Sequence, residues 1–180
     1  MVLKKHLKIA ENPIPENAPE WSKSFPWKII KDVAAKYKFD PLLLVAIIQQ
    51  ESGGRQWVMR FEPSYSVYNQ VNAFADANRE SRPTEQKNQA TSFGYCQVMG
   101  VTARGLGFHG CLGRLLDKHL NIELGGKLIR ELLDRFGPAP EDIFAAYNAG
   151  RPLKTPGGLY VNQRYVDSVS RLYRELNKLS

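Results

Sequence analysis

The sequence has no apolar run long enough to cross a bilayer. The longest such run, residues 42–48, holds seven residues, whereas a membrane-spanning helix needs about 20. The first eight residues are basic, but the apolar segment that a secretory signal requires does not follow them. We therefore expect no stable membrane insertion and no signal peptide. The protein then stays inside the cell, leaves by another route, or has lost its leader.

Cysteine and histidine are scarce. Cys96 and Cys111 are too few for a disulfide framework, although they could pair with each other. The preferred interpretation is two buried thiols that pack as small apolar groups. The three histidines show no metal-ligand spacing with the cysteines, so the sequence predicts no zinc site.

Acidic residues are outnumbered by basic ones. The 180 residues include 25 Lys+Arg and 18 Asp+Glu, which gives a net charge of +7. Hydrophobic and charged shares of 43% and 24% are typical of a globular protein and exclude a disordered or fibrous chain. The charge favours an anionic partner, which could be nucleic acid, an anionic membrane surface or an acidic wall polymer. The absence of a basic run or a known nucleic-acid-binding module argues against nucleic acid.

Helical periodicity dominates the readable part of the chain. Repeated prolines within residues 11–26 predict an extended arm or a segment that wraps around the domain, because proline interrupts a helix. Asp40, followed by proline, predicts the start of a strongly apolar, buried helix that ends at Gly53. Residues 53–95 show poor periodicity and predict loops with one or two short helices near 67–79. The other predicted helices cover residues 27–38, 112–120, 121–136, 140–149 and 162–178. The predicted fold class is mainly α.

Glu51 is the first candidate for chemistry. It lies in the last turn of the apolar helix, just before a double glycine. Burial disfavours the charged form of a carboxyl group, and the negative end of the helix dipole acts in the same direction, so both raise the pKa. A carboxyl group that is protonated near neutral pH can act as a general acid. The alternative is a solvent-exposed glutamate at a frayed helix end.

Three further segments combine polar side chains with small or apolar neighbours. Residues 92–99 read Ser-Phe-Gly-Tyr-Cys-Gln-Val-Met, residues 146–150 read Ala-Tyr-Asn-Ala-Gly, and Tyr165 lies on an apolar helical face. Glycine permits a tight turn or a close backbone approach. Each segment has a structural alternative: a buried turn followed by a helix, a helix terminus with a capping glycine, and a core tyrosine.

The combination of these segments, in this order, resembles the soluble lytic transglycosylase (SLT) domain family. The resemblance rests on Glu51-Ser52-Gly53, residues 94–99, residues 146–150 and Tyr165-Val166, and it covers roughly residues 27–178. It implies a goose-type-lysozyme-like helical domain with a substrate cleft. Members cleave the β-1,4 bond between N-acetylmuramic acid (MurNAc) and N-acetylglucosamine (GlcNAc) in peptidoglycan and leave 1,6-anhydromuramic ends.

The resemblance also implies roles for individual residues. Glu51 is implied as the sole catalytic acid and base, next to a structural Ser52. The implied substrate-binding residues are Gln97, Met99, Tyr147, Asn148 and Tyr165. Tyr165 would contact the catalytic carboxyl group. No metal or organic cofactor is implied.

The sequence departs from the family pattern in two places. Tyr95-Cys96 replaces the usual Leu-Met before the glutamine. Gln97 follows Glu51 by 46 positions, a wider gap than in many members. The additional length falls within residues 55–90, where residues 60–65 resemble segments of phage and prophage members.

Two other functions stay open. A hydrolytic muramidase or chitinase on the same scaffold would need a second carboxyl group. Candidates for it are Glu62, Asp76, Glu80 and Glu85, although each is expected to be a solvated surface charge. A non-catalytic wall-binding or virion structural protein is the other alternative, and the intact Glu51 argues against it.

The predicted organisation is a proline-rich arm over residues 1–26 and a catalytic domain over residues 27–180. The expected partner is the glycan strand of peptidoglycan, bound by a monomer that takes up neither nucleic acid nor a membrane. The site of action is then the cell wall, in the periplasm or outside the cell. We expect delivery in a phage virion or by holin-dependent export, or a bacterial protein whose leader is missing.

Overall fold

Helices build most of residues 18–178, the part of the chain that the computed structural model describes. Their bounds are α1 Trp27–Tyr37, α2 Pro41–Ser52, α3 Val71–Asn78, α4 Arg82–Gln89, α5 Gly100–Gly105, α6 Lys118–Phe136, α7 Pro140–Ala149 and α8 Gln163–Asn177. The strands β1 Met59–Phe61, β2 Thr91–Phe93 and β3 Val98–Met99 form a small antiparallel sheet in the order β1-β2-β3. The prediction of a mainly α-helical fold is confirmed. Within residues 18–178, none of the helices is both long and apolar enough to traverse a membrane.

α2 is the central helix, and its ends follow the predicted capping signals. The Asp40 carboxylate accepts a hydrogen bond from the Leu42 N–H at 2.9 Å, which caps the first turn. Gly53 follows the last turn with φ +61°, a left-handed conformation that glycine adopts without steric cost. Residues 43–48 are all buried, and the helix packs against α8 and α1. This packing gives the last turn, which carries Glu51, a defined position.

α6 approaches its neighbours closely through two adjacent glycines. A Cβ atom at Gly126 would lie 2.2 Å from Val33 Cγ1 on α1, and one at Gly125 would lie 2.6 Å from Cys96 Sγ. Close-packed interiors leave no room for such an atom without displacing a neighbour. α6 therefore packs directly on α1 and on the turn between β2 and β3.

Residues 53–95 are more ordered than the sequence predicts. They contain β1, α3, α4 and β2. α3 covers part of the helix predicted near 67–79, but α4 and the strands have no counterpart in the prediction. Arg60 pairs with Ser92, and Ser92 pairs with Met99. Strands of two and three residues are too short to show an alternating pattern, which is why periodicity did not indicate them.

One helix prediction needs correction, and the predicted N-terminal arm lies partly outside the described residues. Residues 1–17 of the predicted arm are outside them. Of the two alternatives for this segment, the described part fits a wrap rather than an extended arm, because Glu20–Ser22 form a 3-10 helix and Phe25 next to it is buried in the core. The predicted short helix over 112–120 is a 3-10 helix over Leu112–Leu116, and α6 begins at Lys118. The Asp117 side chain caps α6 and so separates the two.

The two cysteines neither pair nor share an environment. Both thiols are free; Cys96 is buried and Cys111 is exposed. The prediction of two buried thiols is therefore correct for Cys96 and wrong for Cys111.

Candidate active site

A cleft of about 730 Å³ opens beside the end of α2. Its walls come from β1 and the segment after it, β3 and the turn before it, α5, one face of α6 and the end of α7. Five of the predicted site residues line it: Glu51, Gln97, Met99, Tyr147 and Asn148. The sixth, Tyr165 on α8, reaches Glu51 by a hydrogen bond across 114 sequence positions. The fold thus brings all six into one place.

Glu51 presents a partly buried carboxyl group to this cleft. The Tyr165 hydroxyl donates to Glu51 Oε1 at 2.6 Å. Burial raises the pKa of Glu51 above its ordinary value, while the Tyr165 hydrogen bond and the charge of Arg60 oppose this shift. The group therefore stays protonated to higher pH than a solvated glutamate, as a general acid requires. The alternative of an exposed glutamate at a frayed helix end is wrong.

Ser52 connects the end of α2 to the turn between β2 and β3. Its hydroxyl donates to the Tyr95 carbonyl oxygen at 2.8 Å and lies 3.2 Å from the Ile48 carbonyl oxygen. The residue is almost fully buried, so this bond is shielded from water. Ser52 therefore holds the turn next to Glu51, a structural position like the one that the resemblance implies.

Asn121, near the start of α6, holds the same turn from the other side. Its buried side chain accepts from the Cys96 N–H and donates to the Phe93 carbonyl oxygen, both at 2.8 Å. It also occupies the space beside Gly94, where a Cβ atom would lie 2.8 Å from Asn121 Cγ. Sequence reasoning missed this residue, because a single asparagine in a helix forms no recognisable motif.

Gln97 lines the cleft from a left-handed backbone position with φ +44°. Its Nε2 donates to the carbonyl oxygens of Val58 and Gly94, at 3.0 and 2.9 Å. Its buried Oε1 has no hydrogen-bond partner within the described part of the chain. An unpaired buried acceptor costs free energy, so this atom is suited to accept a bond from a ligand. The segment is thus a buried turn followed by a helix and also part of the cleft wall.

The end of α7 contributes Tyr147 and Asn148. The Tyr147 hydroxyl donates to the Cys96 carbonyl oxygen at 2.7 Å, and burial raises the pKa of Tyr147 well above its ordinary value, so the hydroxyl stays protonated. Asn148 Oδ1 accepts from Asn162 Nδ2 at 2.9 Å. Gly150 ends the helix with φ +77°. The segment is therefore a helix terminus with a capping glycine that borders the cleft.

The chain also matches the model of a known protein family. The family model of the transglycosylase SLT domain matches residues 28–155, which is more than half of the chain. The chain belongs to this family. The SLT domain is lysozyme-like, and the family is one of glycan-cleaving transglycosylases that act on peptidoglycan and hence on the cell wall. The match ends before Tyr165, so the position of that residue next to Glu51 comes from the structure.

Sequence reasoning missed the α6 wall of this SLT domain. Leu128, Glu131, Leu132 and Arg135 all line the cleft. Their spacing of i, i+3, i+4 and i+7 places them on one helical face. That spacing could indicate a shared face, but nothing local indicates that the face borders a cleft.

Of the four candidates for a second carboxyl group, Glu62 lines the cleft and the other three do not. The expectation of a solvated surface charge is wrong for Glu85, which is fully buried and paired with Arg104. Glu80 is partly buried, and Asp76 is exposed. Glu62 is therefore the remaining candidate for a reaction that uses two carboxyl groups.

Proposed function

We propose that this chain is a peptidoglycan lytic transglycosylase that cleaves the β-1,4 bond between MurNAc and GlcNAc and leaves 1,6-anhydromuramic ends. The observation that carries the proposal is the partly buried Glu51 carboxyl group, which faces the cleft and accepts a hydrogen bond from Tyr165. Membership in the SLT family supports the same class of reaction.

In the proposed mechanism Glu51 acts first as an acid and then as a base. Its proton passes to the glycosidic oxygen as the bond between that oxygen and C1 of MurNAc breaks. The N-acetyl group of the substrate stabilises the cationic C1. The Glu51 carboxylate then takes the proton of the MurNAc C6 hydroxyl, whose oxygen attacks C1 and closes the anhydro ring. The nucleophile belongs to the substrate, so proximity replaces an attacking water, and no metal or organic cofactor is required.

The other cleft residues have supporting roles in this proposal. Tyr165 stabilises the Glu51 carboxylate between the two proton transfers, because its hydroxyl donates to the oxygen that carries the charge. Gln97 Oε1 supplies an unpaired acceptor for a sugar N–H or hydroxyl. The proposed substrate-binding residues are Gln97, Met99, Tyr147, Asn148 and Tyr165.

The proposed setting follows from the substrate. The proposed catalytic domain includes residues 18–26, whose Phe25 is buried in the core, together with residues 27–180, and the protein acts as a monomer on glycan strands, without nucleic acid. Its net charge of +7 aids adsorption to the negatively charged wall. Delivery in a phage virion or by holin-dependent export is part of the proposal.

Digestion of purified sacculi should release anhydro-muropeptides, each lighter by one water than the corresponding hydrolysis product. The reason is that attack by the C6 hydroxyl adds no water to the products, whereas both hydrolytic mechanisms do. Mass spectrometry of the soluble products measures this difference. Products that carry only free reducing ends would contradict the proposal.

A hydrolytic muramidase is the second candidate, because Glu62 lies in the same cleft as Glu51. Glycoside hydrolases of the usual type need two carboxyl groups. In that case Glu62→Gln would abolish cleavage as completely as Glu51→Gln, and the products would carry reducing ends.

Removal of the Tyr165 hydroxyl should raise the pKa of Glu51. In Tyr165→Phe the carboxylate loses its donor, while burial still favours the protonated form. Activity falls as pH rises through the pKa of the acid, so the alkaline limb of the kcat/KM profile should move to higher pH. We also expect kcat to fall about tenfold or more, because a hydrogen bond to a charged group contributes about 1.5–3 kcal/mol. The measurement is the turnover of sacculi as a function of pH.

Tyr173→Phe is the matched control for this experiment. Tyr173 lies on the same helix, its hydroxyl donates to Asp40 Oδ2 at 2.6 Å, and it does not line the cleft. Removal of the Tyr173 hydroxyl should leave the pH dependence of kcat/KM unchanged. An unshifted alkaline limb in folded Tyr165→Phe would count against the assigned role.

A further inference from the structure

The segment between α2 and α3 adds a charged lip, Arg60 and Glu62, to the cleft. β1 lies at the edge of the sheet, and successive side chains of a strand point to opposite faces. Met59 and Phe61 are about half exposed, at 52% and 51%, whereas Arg60 and Glu62 line the cleft. The charged lip belongs to the stretch in which this chain exceeds the spacing of many SLT members, so it lies outside the family motifs.

Arg60 is oriented by Glu62, but its hydrogen-bonding capacity is not used up. Arg60 Nε donates to Glu62 Oε1 at 2.6 Å, and 59% of the Arg60 side chain is exposed. Within residues 18–178 this is the hydrogen bond that its guanidinium makes. Both Nη groups are left to donate to another acceptor.

A carboxylate fits this arrangement best. Arginine holds a carboxylate through two parallel, charge-assisted hydrogen bonds. In intact peptidoglycan the lactyl carboxyl group of muramic acid is amide-bonded to the stem peptide, so the sugars carry no free carboxylate, whereas the peptides carry carboxylates together with amines. Glu62 beside Arg60 disfavours a polyanion such as nucleic acid, because its charge repels a row of phosphates. A peptide that carries both signs of charge is compatible with the pair.

We infer that Arg60 binds a carboxylate of the stem peptide on muramic acid, so that the charged lip selects glycan that still carries its peptides. The inference rests on the proposed function, because it takes peptidoglycan as the ligand of the cleft. The charge of Arg60 also acts on Glu51. A substitution therefore changes the chemistry as well as the binding, and the experiment has to separate the two effects.

The experiment compares two substrates, glycan strands with stem peptides and the same strands after an amidase has removed the peptides and the lactyl carboxylates that this exposes have been converted to amides. kcat/KM is measured on both for the wild type, Arg60→Gln and Arg171→Gln. Arg171→Gln is the matched control, because it removes the same charge from an exposed position on α8 that does not line the cleft. The readout is the ratio of the two kcat/KM values. An effect on the Glu51 chemistry changes both values alike and cancels in this ratio.

Arg60→Gln should lower the preference for peptide-bearing glycan about fivefold to tenfold, as expected for one partly exposed charge-assisted hydrogen bond. Arg60→Lys keeps the charge but not the planar group, so its ratio of kcat/KM values should lie between those of the wild type and Arg60→Gln. Arg171→Gln should keep the wild-type ratio.

Two results would overturn the inference while the proposed function stands. One is a wild-type ratio in Arg60→Gln, with anhydro products from both substrates. The other is an equal loss of preference in Arg171→Gln, since net charge rather than the Arg60 site would then be the cause. If the wild type forms no anhydro products from either substrate, the proposed function fails first, and the inference fails with it.

Discussion

Replacement of Glu51 by glutamine should lower the turnover of peptidoglycan about 10⁴-fold, because one group supplies both the acid and the base of the proposed reaction. Glutamine keeps the size of the side chain and an oxygen that can accept from the Tyr165 hydroxyl, which donates to Glu51 at 2.6 Å in the wild type. It has no proton to give and no charge with which to take one. The measurement is the rate of release of soluble muropeptides from sacculi.

Glu51→Gln should also be at least as stable as the wild type at neutral pH. Burial raises the pKa of Glu51 in the folded state above that in the unfolded state. The folded state then binds this proton more tightly, so the free energy of unfolding falls as pH rises through the unfolded-state pKa towards the folded-state pKa. Glutamine does not ionise, so the variant does not lose stability in this way as pH rises. Denaturant unfolding at acidic and neutral pH should therefore give a free energy of unfolding for Glu51→Gln that is no lower than that of the wild type at neutral pH. The loss of activity would then not result from unfolding.

Glu62→Gln is the matched control, because Glu62 lines the same cleft. Its ion pair with Arg60 is substantially exposed, and such pairs contribute little, so the loss of turnover should stay below about tenfold. Turnover of folded Glu51→Gln within tenfold of the wild type would exclude Glu51 as the acid and base. An equal, complete loss in both variants would instead favour the two-carboxyl hydrolase.

The second large effect concerns stability: Arg104→Met is expected to lower the free energy of unfolding by about 3–5 kcal/mol. Neither the Arg104 nor the Glu85 side chain has exposed surface, and two hydrogen bonds of 2.9 and 2.8 Å join them. Arg104 Nη1 also donates to the carbonyl oxygens of Phe108 and Gly110. Methionine would leave a buried carboxylate without a counterion and two carbonyl groups without this donor.

The double variant Glu85→Leu/Arg104→Met tests this explanation. Removing both partners should cost less than removing Arg104 alone, because no unpaired charge is left in the core. Denaturant unfolding of the single and double variants measures the coupling. Lys28→Met, in the exposed pair with Asp32, is the control and should cost less than about 0.5 kcal/mol. A loss below about 1 kcal/mol in Arg104→Met would contradict a tightly coupled buried pair.

This ion pair also supports the cleft. Arg104 lies on α5 and Glu85 on α4, and α5 follows directly after Met99. Thr102, on the same short helix, lines the cleft together with Met99. The pair therefore anchors the wall that these residues form, and we expect Arg104→Met to lose activity through loss of folded protein rather than through altered chemistry.

Local signals were sufficient for the helices that carry the candidate site. α2 begins after Asp40 and ends before Gly53 as predicted, and α7 covers the predicted residues 140–149. Capping side chains, prolines in the first turn and left-handed glycines act within one helical turn, so they can be read without knowledge of the fold. The motif order at these helix ends indicated the SLT family, and the family comparison confirms it.

The small sheet and the α6 wall of the cleft could not be predicted from such local signals. β3 has two residues, and its pairing with β2 depends on contacts across the turn that Asn121 holds. The exposed Cys111 and the buried Glu85 were assigned to the wrong environments, because composition and local pattern do not report burial. Burial is a property of the segments that happen to pack around a residue.

The sequence by itself determined the limits of α2 and α7, the family and the six residues that the fold brings together. Only the tertiary structure decided the burial that raises the pKa of Glu51, the partner of Arg104 and the position of Arg60 at the charged lip. The physical reason is that burial and ion pairing depend on which groups the fold brings together, and the buried groups among them meet in a space of low dielectric constant. Tyr165 is the clearest case: its type and helical face were readable, but its 2.6 Å contact with Glu51 exists only because α8 packs against α2.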